Sequence, residues 1–222
     1  FFFKQKTAYE IVDCDWSSDV CSSDLFGSKE LIEKEAARVN AMHSKVSGEF
    51  KDKADRISEY KASEPKFLLW VHCAFTESFL EAHKICKYSM KNSADEYVGQ
   101  WSKSAVPLGL EQTPKSEVEL KLEIARFMKQ ELTFSKETAE VIEFILNPPF
   151  GPISLFFYRA LAKTAVRSLS ESERDLLKLK MPAKIWEYLA RFNLWVLRKA
   201  LGPYSPAQIA AVNRNQRLKI GS

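Results

Sequence analysis

One all-α domain is the fold class this chain predicts, on three observations. Four serines are each followed three residues later by Glu or Gln: Ser93/Glu96, Ser116/Glu119, Ser170/Glu173 and Ser205/Gln208. In that pattern a hydroxyl and a side chain satisfy free N–H groups at a helix start. Gly and Pro fall between periodic segments, at Gly48, Pro65, Pro107–Gly109, Pro114, Pro148-Pro149, Pro182 and Gly202-Pro203. Alternating strand patterns are scarce, and no Asn-Gly or Asp-Gly hairpin turn occurs.

The elements follow in order. An apolar stripe at Ile32, Ala36, Val39, His43 and Val46, spaced 4, 3, 4 and 3, predicts a helix over 28–47. Pro65 opens an apolar helix over 66–88. Ser93 caps 94–106, which Pro107–Gly109 terminates. Ser116 caps 116–133, and a further helix covers 136–146. Pro148-Pro149 precede 151–168, and Ser170 caps 171–180. Pro182 precedes 183–200, which Gly202-Pro203 close. Ser205, with Pro206 at the favoured first position, opens 206–216.

Residues 1–25 stand apart. Lys4–Leu25, KQKTAYEIVDCDWSSDVCSSDL, reads as the translation of both arms of a short-read sequencing adapter in one frame. Phe1–Phe3 fit a T-rich lead-in and Val12–Cys14 an index barcode. The segment is therefore excluded from fold reasoning. It is expected to be disordered, to touch the domain little and to stand where native N-terminal sequence belongs. Asp13, Asp15, Asp19 and Asp24 leave no apolar stretch for a signal peptide. The domain is expected to cover 26–222.

The chain carries a formal +4; the adapter-like part holds two lysines against five acids, so the remainder carries +7. These charges are interleaved along helices, a solvated surface and not a nucleic-acid footprint. Outside the adapter-like part only Cys73 and Cys86 remain, without a metal-binding spacing. Two thiols and no secretory signal predict a reducing, cytoplasmic location. No apolar run reaches membrane-spanning length; Phe150–Val166 comes nearest but holds Arg159 and Lys163.

The histidines carry the chemistry. His43 falls on the apolar stripe of the first helix, where a neutral imidazole needs a partner at each ring nitrogen. A haem iron or metal on one nitrogen is one option; a core histidine bonded to backbone is the other. In FLLWVHCAFTESFLEAHKI (Phe67–Ile85), His72, Phe75, Thr76, Phe79 and His83 fall near one helix face, flanked by Trp70 and Val71. That face would line a cofactor cavity or simply a core, and no HExxH or third nearby donor supports zinc. Nucleotide, phosphate-loop and serine-hydrolase motifs are absent. Cys73 in an apolar helix reads as inert packing. Glu33/Glu35 and Glu171/Glu173 read as exposed carboxylates, and Trp70, Trp101, Trp186 and Trp195 as helix–helix packing. Arg159 and Arg167 are either surface cations or partners of an anionic group such as a propionate.

Three segments then resemble a known pattern: FGSKELIEKEAARVNAMHSKVSG (Phe26–Gly48), YKASEPKFLLWVHCAFTESFLEAHKIC (Tyr60–Cys86), and Tyr97 through Pro107-Leu108-Gly109-Leu110 to Pro114. The R-V-x-x-M-H helix followed by WVH resembles the catalytic domain of the MpaB-type and rubber (latex-clearing) oxygenases, over nearly all of 26–222. The resemblance implies a globin-like helical bundle holding haem b and using O2. It implies a haem-dependent oxygenase or oxidoreductase acting on a hydrophobic substrate, with isoprenoids the suggested class: rubber oxygenases cleave carbon–carbon double bonds of polyisoprene and fungal relatives cleave a prenyl side chain. It makes His43 the axial iron ligand, with Arg38 and Met42 packing around it, and gives His72 and Trp70 a place in the pocket. In the rubber-oxygenase branch the open haem side is furnished by helices preceding this point, where the adapter-like segment stands. The rival reading is a cofactor-free helical module for a lipid or protein partner; a third is a non-haem metal site using His43 and His72.

Overall fold

The computed structural model describes residues 29–52, 56–87, 90, 92–202, 209 and 212–213. Its elements in order are α1 (Lys29–His43), β1 (Ser47–Lys51), β2 (Ile57–Lys61), α2 (Pro65–Cys86), α3 (Ala94–Ala105), a 3-10 turn (Val106–Leu108), α4 (Glu117–Gln130), α5 (Lys136–Leu146), α6 (Pro152–Ser168), α7 (Glu171–Leu176) and α8 (Ile185–Leu201). The all-α bundle expected from the caps is the fold. The adapter-like segment and most of the helix expected over 206–216 lie outside the described residues.

The caps form where the sequence places them. Ser93 and Glu96, and Ser170 and Glu173, make reciprocal capping boxes. Ser116 accepts from the Glu119 N–H, while the Glu119 carboxylate reaches the Lys115 N–H at 2.7 Å. Ser135 caps α5 through the Thr138 N–H.

One stretch departs from the expectation. α1 stops at His43, short of 47. The Lys45 and Val46 N–H groups donate three residues back, to the Met42 and His43 carbonyls (3.0 and 3.1 Å), tightening the last turn. The chain then forms an antiparallel hairpin with Gly48 opposite Tyr60 and Phe50 opposite Ser58. It has no two-residue turn to announce it. Asp52 and Arg56 close the loop, backbone to backbone at 2.9 Å and Arg56 N–H to the Asp52 carboxylate at 3.0 Å. Tyr60, Phe50 and Phe67 meet edge to face, with centroids 5.7–6.4 Å apart. That cluster ties the hairpin to the start of α2.

α2 is the central element, in contact with α3, α4, α6 and α8. Its Cys73 and Leu80 form the innermost cluster with Val98 of α3 and Leu120 and Ile124 of α4. α6 packs along α8. Arg191 of α8 donates two hydrogen bonds to the Ile85 carbonyl (2.8 and 3.2 Å), closing the end of α2. Glu187 links it onward, accepting from Arg191 and from Arg167 of α6. Arg167 is thus committed to Glu187, and Arg159 is exposed.

Candidate active site

His43 is the last residue of α1, at the corner where helix becomes hairpin. Ala36 and Val39, on the same stripe, are buried. His43 itself is half-buried because the helix ends there, yet its Nδ1 is shielded from solvent. A cationic imidazole is favoured by the end of a helix dipole. Burial acts the other way and wins, lowering the His43 pKa, so the ring is held in its neutral, donor form. Met42 is half-buried beside it. Arg38 is exposed and turned to Glu35, with Nε 2.7 Å from the carboxylate. It leaves α1 about 140° around from His43, as five residues of helix dictate.

A groove opens farther back along α1, and His43 is not among its lining residues. α1 packs against the 3-10 turn, where Asn40, one turn before His43, donates to the Pro107 carbonyl at 3.4 Å. From Pro107 a groove of about 830 Å³ runs between α1 and α3, lined by Ile32, Tyr97, Trp101 and Val106, with Lys103 among its polar residues. Its α3 wall continues as an aromatic ladder. Tyr97 stacks on Trp101 (6.2 Å, 17°), Trp101 meets Phe79 of α2 edge-on (5.4 Å), and Phe79 stacks on Phe75 (6.1 Å). His83 closes the other side against Tyr97 (6.2 Å).

His72 sits on the α2 stripe that carries Thr76, Phe79 and His83. It is buried, and burial lowers its pKa to about 4, so it too is neutral. The Thr76 hydroxyl donates to its carbonyl at 2.7 Å. Trp70, two residues earlier, leaves α2 on a different side and packs on Phe127 of α4, centroids 5.2 Å apart. The histidines therefore belong to two places, His43 at the α1 corner and His72 within α2. Among the described residues no group of three or more His, Cys, Asp or Glu is arranged to hold a metal ion.

Haem iron takes a neutral histidine and an apolar enclosure, and needs no cluster of protein ligands. The neutral imidazole of His43 is chemistry that would fit such a group; the aromatic groove lies farther along α1. Cys73 supplies no nucleophile: its thiol is fully buried, and burial, then the charges of Glu123 and Glu77, push its pKa to about 12.

Sequence reasoning missed two features. Trp101 reads from the sequence as packing, although Tyr97 four residues before it on a short helix announces an aromatic strip. Glu77, a part-buried acid in the central apolar helix, went unremarked. Burial raises its pKa to about 8, reinforced by the charge of Glu173 and a hydrogen bond to it and by Glu81, with Lys121 opposing. Its signal was a lone carboxylate inside an apolar run.

A family model described as "ER-bound oxygenase mpaB/B′/Rubber oxygenase, catalytic domain" matches residues 20–202. Its first residues overlap the adapter-like segment, and it spans every helix from α1 to α8. No curated protein and no solved structure matches the chain.

Proposed function

The chain belongs to this family of oxygenase catalytic domains, and from that premise we propose that it is a haem-dependent oxygenase acting on a hydrophobic substrate, with His43 as the residue that would hold the iron. Haem b would supply the redox chemistry and the activation of O2. The protein's part is the ligand, the polarity and the access. His43 presents an imidazole already neutral, so iron need displace no proton from it. The aromatic wall of Tyr97, Trp101 and Phe79 offers an apolar chain, an isoprenoid in this proposal, a surface free of charge. Lys103 and Lys29 stay at the polar margin of the groove. His72, neutral and buried, acts as a polar neighbour of the pocket and not as a ligand.

The supporting observation is the presence, within the matched domain, of a neutral, half-buried His43 and of an apolar-walled groove that starts at Pro107, where Asn40 makes contact one turn before His43, and runs back along α1 to Ile32. The test is an absorption spectrum of the protein expressed with haem supply, beside His43→Ala. The expected result is a strong haem band in the parent that is lost or shifted in the variant. A colourless parent of native-like helicity sinks the proposal, and an unchanged band in the variant removes His43 as the ligand.

A further inference from the structure

Helix α8 has a buried face and an exposed apolar one. The inner one, around Glu187, Ala190 and Asn193, is buried; Asn193 donates to the Phe157 carbonyl of α6 at 3.1 Å. The outer one, on the far side of the helix, runs Ile185, Tyr188, Phe192, Trp195, spaced 3, 4 and 3. These side chains are 56%, 55%, 57% and 56% exposed. Phe192 and Trp195 stack on one another at 6.0 Å, an ordered aromatic surface. Surface hydrophobics scattered singly do not line up in this way, and a contiguous exposed apolar stripe marks an interaction surface.

The charges around this face say what covers it. Glu187 is the only acid in α8, and it is turned inward onto Arg167 and Arg191. Lys184 precedes the stripe, Lys199 follows Trp195 by one turn, and Arg198 lies along one flank. α6, packed alongside, carries Arg159 and Lys163 besides the Glu187-paired Arg167, holds no acid, and exposes Ile153 and Phe156 at its start. We infer that the outer face of α8 docks on an anionic lipid surface, with the helix lying in the plane of the interface. A second copy fits poorly, since parallel or antiparallel pairing of this face sets cations against cations. A protein partner would meet a convex ridge with no pocket to seat an anchor. A lipid surface needs neither complement. It takes Trp and Tyr at its polar boundary, and its headgroups match Lys and Arg. Among the described residues no helix is long and apolar enough to cross a membrane, so the contact is peripheral.

This inference stands independently of the oxygenase reading. The test is co-sedimentation of the full chain with vesicles of phosphatidylcholine alone and of phosphatidylcholine with about one-third phosphatidylserine. The chain is compared with Phe192→Ser/Trp195→Ser and with Lys184→Glu/Lys199→Glu, each shown to be folded by its thermal melt. The expected result is binding to the anionic vesicles that weakens on the order of tenfold in each variant and falls with added salt. Equal binding by parent and variants, or none by the folded parent, overturns the inference. So does a parent that self-associates in solution through this face, with the serine variant monomeric and lipid binding unchanged.

Discussion

Replacing Glu77 by Gln should make the protein more stable at mildly alkaline pH and flatten its pH dependence. The native state holds the Glu77 proton far more tightly than an unfolded chain does. The carboxyl is raised from 4.5 to about 8, by burial first and then by its hydrogen-bonded neighbour Glu173. A carboxyl raised on folding stabilises the native state only while it stays protonated. Stability therefore falls as pH climbs from 4.5 to about 8 and levels off above that. At full value the gap corresponds to about 5 kcal/mol. Glu77 is only part-buried, so screening reduces it to about 2 kcal/mol. Gln is neutral throughout and its amide can still donate to Glu173. Urea unfolding of both proteins at pH 5 and pH 8.5 is the assay. The parent should lose about 2 kcal/mol more than the variant between the two, or about 4–8 °C in Tm. The comparison cancels the titrating groups that do not interact with Glu77. Parallel losses in parent and variant would refute the raised Glu77 carboxyl.

His72 should set the acid limit. Burial depresses it from 6.5 to about 4, so the stability it contributes is complete above pH 6.5 and lost as pH falls toward 4. His72→Gln should be about 2–3 kcal/mol less sensitive than the parent over that window, read from thermal melts. Glu187→Ala leaves Arg167 and Arg191 without their shared carboxylate, and should cost about 2–4 kcal/mol in urea unfolding; Glu187→Gln should recover part of it. Gly48→Ala places a Cβ 2.8 Å from Tyr60 Cε1, in a ring already held by Phe50 and Phe67. The expected loss is about 1–3 kcal/mol, and Gly48→Ala with Tyr60→Phe should not recover it, since the clash is with the ring.

The helices were legible because their starts are chemically marked. Ser93, Ser116 and Ser170 cap where a Ser-x-x-Glu pattern says they should. The hairpin was not legible, because Asp52 and Arg56 join its strands through backbone and side-chain hydrogen bonds and the sequence between the strands holds no recognised turn dipeptide. The stripe of α1 pointed inward as read, with Ala36 and Val39 buried. Periodicity cannot report where a helix stops, so His43 was placed mid-face when it stands at the end. Trp195 was read as helix packing and is exposed, since an apolar stripe does not say whether a neighbour exists to receive it. The groove needed Asn40 to meet Pro107, 67 residues apart, a contact with no sequence signal.

On the proposal that His43 would hold the iron, the hairpin that interrupts the helical bundle acquires a role. A terminal helix residue is less constrained than one in mid-helix, because half of its backbone neighbours are gone. A ligand held within about half an ångström needs support from beyond its own helix. Here three ties meet at the corner. The Val46 carbonyl accepts from the Ala62 N–H at 2.9 Å, joining the residues just after His43 to the hairpin exit. Asn40 pins the preceding turn to Pro107. Tyr60, Phe50 and Phe67 lock the hairpin to α2. The last tie runs along α2, five residues from Phe67 to His72, so both histidines are referred to one rigid element. On this account the hairpin is part of the site's scaffold: loosening it at Gly48 should move His43 while leaving the α2–α3–α4 core in place.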